Sequence, residues 1–184
     1  MEAFCNLEEV MIASEEIYDG HVVHLYKDTV RLPNGNAATR ETVRHIGAVA
    51  IVPMTDDGKV IVVRQFRYPR GRVITEIPAG KLDSKTEDRL AAAKRELEEE
   101  TGVTADEWID LGDYYPAAAY TDERITMYLA KGLHQGIRNL DEDEFLNVMA
   151  VDLEALVQDV LSGNITDGKT QAALLKAYLL LKNG

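Results

Sequence analysis

Three glutamates, Glu96, Glu99 and Glu100, stand at i, i+3 and i+4 directly after an arginine in the run Arg95-Glu96-Leu97-Glu98-Glu99-Glu100-Thr101-Gly102-Val103. On a helix this spacing puts three carboxylates on one face, near the negative end of the helix dipole. Like charges at these separations repel, and anions are better placed at the opposite terminus, so the arrangement calls for a positive counterpart. Mg2+ is a fitting one, because it binds through a few carboxylates and keeps waters and substrate phosphates in its remaining positions. A bare glutamate run is more simply a solvated helix face. Here the setting favours the metal: a loop after Gly80, a capped helix and Arg95 all precede the run. Ser84 followed by Glu87 reads as a capping box and Gly102 as a C-terminal stop, which predicts a helix from about Lys85 to Thr101. Ala91, Ala92, Ala93, Leu90 and Leu97 supply strong helix formers and an apolar stripe.

The elements that must carry this helix can be read on either side of it. His21 to Val30 and Ala38 to Arg44 read as strands around the turn Leu32-Pro33-Asn34-Gly35-Asn36. Gly47 to Met54 and Lys59 to Gln65 read as a second hairpin around Asp56-Asp57-Gly58. Arg124 to Ala130 and Phe145 to Val151 are strand-like, and Leu153 to Leu161 and Thr170 to Leu181 carry helical periodicity. The fold class expected is α/β (α+β), a mixed β-sheet sandwiched between helices. An antiparallel β segment over residues 1–45 precedes a domain over residues 46–184. A two-stranded hairpin is marginal in water, so the first segment must pair with or pack on something larger.

Composition narrows the partners. A chain of 184 residues with 46% hydrophobic content suits one domain with a small appendage. A net charge of -12 argues against nucleic acid, whose binding relies on basic surface. The single cysteine, Cys5, leaves no internal disulfide and fits a reducing compartment. No apolar run is long enough to span a membrane, and the opening MEAFCNLEEV lacks the regions of a signal peptide, so a cytoplasmic location is expected. None of His21, His24, His45 and His134 has a partner at zinc-ligand spacing, and Trp108 reads as a packing residue.

The segment from Gly80 to Val103 resembles the Nudix box: Gly, five residues, Glu, seven residues, then Arg-Glu-aliphatic-x-Glu-Glu-x-Gly-aliphatic. Every fixed position from Arg95 to Val103 matches, and Glu87 lies the expected distance before Arg95. Six residues rather than five separate Gly80 from Glu87, an insertion that a loop absorbs cheaply without disturbing the glutamate register. Gly47 to Pro53, Val62 to Pro69, Glu76 to Asp83, Tyr120 to Arg124 and Leu140 to Phe145 look like further landmarks of the ADP-ribose pyrophosphatase subfamily. The likeness spans roughly residues 36 to 180.

This resemblance implies Mg2+-dependent hydrolysis of the pyrophosphate bond of ADP-ribose, to AMP and ribose 5-phosphate, or of a related nucleoside diphosphate sugar, with Mn2+ as a substitute metal. It implies Glu96, Glu99, Glu100 and the main-chain carbonyl of Ala79 as metal ligands, with Arg95 pairing the glutamates. Glu87 would hold the loop against the helix. The general base would be Glu142, in the acidic run Asp141-Glu142-Asp143-Glu144, with Glu144 as runner-up and a solvated loop anchored by Phe145 as the plain alternative. Arg40, Glu41, Arg67, Glu76 and Glu123 would contact the substrate, and a homodimer would form through the N-terminal segment. One departure bears on specificity: Ala117-Ala118-Ala119 stands where the subfamily carries Ser-Pro-Gly. A catalytically silent nucleotide sensor of the same fold would lose ligands that are kept here, and a calcium protein would need an Asp-rich loop that is absent.

Overall fold

In the computed structural model, which describes residues 6–138 and 145–183, Leu32 to Asn36 turn the chain tightly. Leu32 N–H donates to the Asn36 carbonyl at 2.8 Å, and Gly35, with φ of 88°, donates back to Leu32. The strands so joined are β2 (His24–Arg31) and β3 (Ala37–Arg44), and β1 (Val10–Asp19) pairs antiparallel with β2 to make the sheet β1-β2-β3. The sequence reading did not resolve β1: Val10 to Asp19 is exposed along its length, so no buried face imposes an apolar alternation. Arg44 braces this sheet, donating to Ser14 Oγ at 2.9 Å and to buried Asp28 at 3.1 Å, and stacking 3.7 Å over the Tyr26 ring. The same compact unit takes in Ala117–Glu123, because Val43 N–H donates to the Tyr120 carbonyl and His45 N–H to Asp122 Oδ1.

The second unit runs from Ile46 to Pro116 and from Arg124 onward. Its elements are β4 (Ala48–Pro53), β5 (Lys59–Arg67), a 3-10 turn at Tyr68–Arg70, β6 (Arg72–Glu76), β7 (Ala79–Lys81), α1 (Arg89–Thr101), β8 (Val103–Tyr114), β9 (Ile125–Gln135), β10 (Leu146–Asp152), α2 (Leu153–Leu161) and α3 (Gly168–Asn183). They form two sheets, ordered β10-β5-β6 and β7-β4-β9-β8. Among the described strands of this unit, only β4 and β9 pair in parallel. The predicted hairpin of β4 with β5 is corrected here. The turn exists, but a single bridge, Met54 to Val60, joins the two strands before each enters a different sheet. β4 and the Val60–Val63 stretch of β5 are continuously apolar and buried, and such a run fits a strand covered on both faces better than half of an exposed hairpin.

Alternation along β4 then builds two cores. Ala48, Ala50 and Val52 face α2 and α3, packing with Met127, Leu129, Leu156, Ala173, Leu174 and Ala177. Val49 and Ile51 face α1, packing with Ala92, Ala93 and Leu97. Helices thus cover both faces of this sheet, the expected sandwich. Leu97 is wholly buried, and truncation to alanine there costs about 2–5 kcal/mol. Trp108 packs edge-on to Tyr128 at 6.1 Å and donates its Nε1–H to the Ala105 carbonyl, a core role.

Candidate active site

Helix α1 starts at Arg89, four residues later than the capping-box reading placed it. Asp88 is the N-cap, its side chain accepting from Ala91 N–H at 2.8 Å. Glu87 instead accepts from Asp83 N–H at 2.6 Å and from Arg95 at 3.4 Å, tying the preceding loop to the helix. The extra residue between Gly80 and Glu87 falls between β7 and α1. At the other end Gly102, with φ of 71°, closes the helix on the Glu98 carbonyl.

Arg95 gathers the acidic side chains. Its guanidinium donates to Glu96 at 2.8 Å, to Glu99 at 3.0 Å and to the Lys81 carbonyl at 3.3 Å, with Asp83 3.6 Å away. Burial opposes its charge, but the attraction of Glu96 and the bonds to Glu96 and Glu99 overcome it and raise the Arg95 pKa above its ordinary value. Two glutamates also reach β7. Glu100, only 4% exposed, accepts from Ala79 N–H at 3.2 Å. Glu96 lies so close over Gly80 that a Cβ built there would come within 2.0 Å of its carboxyl group. Glycine at position 80 is therefore what lets the strand approach the helix.

The structure thus brings Glu96, Glu99, Glu100 and Ala79 together around Arg95, and the carboxylate and carbonyl oxygens among them are hard donors suited to a divalent cation. Among the described residues no three acidic, histidine or cysteine side chains close into a metal cage. Glu142 and Glu144 lie outside the described residues. Phe145 is 80% exposed, so it anchors nothing as a buried residue would.

A second ionic cluster lies in the same unit. Glu76 is almost fully buried and accepts from Arg67 Nε at 2.7 Å on one oxygen and from Lys169 Nζ at 2.8 Å on the other. Lys169 also reaches Asp167 at 3.1 Å. Asp167 caps α3, accepting from Thr170 N–H at 2.9 Å and from its hydroxyl at 2.6 Å. Thr170 Oγ1 accepts in turn from Ile77 N–H at 3.1 Å, stapling α3 to the residue after Glu76. Sequence reading missed Asp167 and Lys169, although Asp167 three residues ahead of Thr170 is a helix-start signal. Arg40, Glu41 and Glu123 belong to the other unit. There Arg40 makes a forked pair with Glu9, Glu41 is exposed opposite Lys27, and Glu123 N–H donates to Thr121 Oγ1 at 3.1 Å.

The NUDIX domain family matches residues 44–173. The chain belongs to the Nudix family. The nucleoside diphosphate sugar hydrolase N-terminal domain family matches residues 11–43, ahead of it. An ADP-ribose pyrophosphatase of Bacillus subtilis is 48% identical over 179 residues, covering 96% of this chain and 95% of its own. A methanol dehydrogenase activator of Bacillus methanolicus is 43% identical over 177 residues, covering 95% and 94%. The crystal structure of an ADP compounds hydrolase superposes with a TM-score of 0.83 over 96% of this chain and 95% of that one, at 22% identity, which shows the Nudix fold. This Nudix protein is accordingly a hydrolase of a class that uses divalent metal. No helix among the described residues is long and apolar enough to cross a membrane.

Proposed function

We propose that this Nudix hydrolase cleaves the pyrophosphate bond of ADP-ribose to AMP and ribose 5-phosphate, using Mg2+, with Mn2+ able to replace it. The observation that carries the reaction type is the convergence of Glu96, Glu99 and Glu100 on Arg95 and the Ala79-Gly80 strand. The choice of ADP-ribose leans on the relative of that name, alike along nearly the whole of both chains.

Glu96, Glu99, Glu100 and the Ala79 carbonyl would hold the metal. A metal held there would supply neutralisation of charge on the phosphoryl oxygens and a lowered pKa for the attacking water. Arg95 fixes the Glu96 and Glu99 rotamers, as a partner behind metal ligands does. Glu142 takes the proton from water as its oxygen bonds to one phosphorus, and the bridging oxygen leaves with the other phosphate. Arg67 offers its fork to the diphosphate with Glu76 behind it.

The exposed strand β1, an open edge bearing Val10, Met11, Ile12 and Ile17, supports a homodimer in which a second copy covers it. A panel of nucleoside diphosphate compounds with Mg2+, with products identified, tests the reading. ADP-ribose should be hydrolysed best and give equal AMP and ribose 5-phosphate. Release of inorganic phosphate, or preference for another nucleoside diphosphate sugar, would overturn the substrate. Ala117-Ala118-Ala119, in place of Ser-Pro-Gly, is the departure that this second outcome would trace to.

A further inference from the structure

Between β6 and β7 the chain changes sheets. Glu76 closes β6 opposite Val63 of β5, and Ala79 opens β7 opposite Ala50 of β4. Ile77 and Pro78 make the crossing, and neither lies in a strand. Their backbone groups must find partners elsewhere. The Pro78 carbonyl accepts from Ile51 N–H at 2.9 Å, and Ile77 N–H donates to Thr170 Oγ1 of α3 at 3.1 Å. Thr170 and Ile77 are 0% and 1% exposed, so removing the hydroxyl would leave a buried N–H unpaired.

The Thr170 hydroxyl is held in the accepting role. Its one proton goes to Asp167 Oδ2 at 2.6 Å, which leaves its lone pairs to Ile77. Thr101, at the end of α1, instead gives its proton to the Leu97 carbonyl of its own helix. The crossing that Thr170 holds delivers Ala79, whose N–H meets Glu100 at 3.2 Å and whose carbonyl is the main-chain ligand of the proposed metal site. Pro78 has its φ locked by its ring, so a displacement of Ile77 is passed on to Ala79 with little absorbed between them. Mg2+ demands near-ideal octahedral geometry and tolerates such displacements poorly.

We propose that Thr170 is a positioning residue for the metal: by accepting the Ile77 N–H from α3, it fixes the crossing that presents the Ala79 carbonyl beside Glu100. This rests on the reading of those two groups as metal ligands. Thr170→Val keeps the shape of the side chain and removes the acceptor.

Calorimetric titration of the folded protein with Mg2+, with thermal melting alongside, tests it. Thr170→Val should weaken Mg2+ binding about ten-fold, as loss of a partner behind a metal ligand does. Thr170→Ser retains the hydroxyl and should bind within about threefold of wild type. Val157→Ala opens a cavity in the core that also buries Ile77, so it should lower Tm while leaving Mg2+ binding within about threefold. If Val157→Ala and Thr170→Val weaken binding alike, metal affinity merely follows stability and the inference fails. If Glu100→Gln weakens binding and Thr170→Val does not, the inference fails while the metal site stands. If Glu100→Gln leaves Mg2+ binding unchanged, the reading of the site fails and the inference with it. Should Thr170→Val not fold, Thr170→Ser carries the test: a weakening of about ten-fold with the hydroxyl still present would overturn the proposal.

Discussion

Two helices of this enzyme carry charge at the wrong end, and they resolve the conflict differently. Arg95 of α1 is shared by four carboxylates, Asp83 and Glu87 from the preceding loop and Glu96 and Glu99 from the helix, while Glu100 leans on a backbone N–H of β7. At the start of α3, Lys169 is closed off by Glu76 and Asp167, and Arg67 completes a balanced set. Among the described residues the first cluster sets four carboxylates against the single Arg95, an imbalance that a divalent cation would redress. The second is balanced, two carboxylates against two cations. Carboxylates crowded on a helix become a site when the protein under-supplies positive charge.

The sharpest way to break this contrast is at the open cluster. Chelating divalent metal should abolish turnover, and Glu100→Gln should lower it on the order of a thousand-fold, while the metal-free variant melts about 1 °C higher for loss of like-charge repulsion. Near wild-type turnover would show that the excess charge serves no metal. Next in size is Glu142→Gln, expected to depress kcat roughly a hundred-fold or more with little change in KM. Glu144→Gln should be much milder. Equal small effects at the two positions would move water activation to the box glutamates.

Gly80→Ala probes the contact beneath Glu96. The added methyl must displace that carboxylate, so metal affinity, measured by calorimetry, should fall about ten- to a hundred-fold. Unchanged affinity would remove Glu96 from the ligand set. The smallest effect belongs to the closed cluster. Burial pushes the Asp167 carboxyl up, but Lys169 and the bonds from Thr170 outweigh it, so its pKa lies below the usual carboxylate range. A carboxyl depressed in the folded state adds stability above its unfolded pKa of about 3.9, lost as pH falls through the folded value. Asp167→Asn should therefore lower Tm by about 2–4 °C at neutral pH, with the gap closing in acid. A pH-independent gap would mean that Asp167 acts only as a cap.

The sequence announced the open cluster plainly, because fixed spacing on a helix is a local property: Arg95, the three glutamates and the Gly102 stop all follow from periodicity and capping. Helix α2 was legible to the residue for the same reason. The closed cluster was hidden, since Glu76 and Lys169 meet only after α3 docks on the segment after β6. Strand β7 was hidden by its length, three residues held by pairing to β4. The partition of β4 and β5 between sheets was hidden because a turn of the right composition does not decide which neighbours its strands take.

The parallel pairing of β4 with β9 sets a schedule for the chain as it is made. Ala48 lies beside Ile125, so at about 5–20 residues per second roughly 4 to 15 s separate synthesis of the one from synthesis of the other. In the last third of that interval the box glutamates already exist, but the sheet that backs β7 still lacks its central partner. Strand β4 meanwhile shows two apolar faces to whatever surrounds the ribosome. Chains released before Ile125 would carry the whole signature of the enzyme and none of its activity, in a form that chaperones and proteases would treat as unfolded.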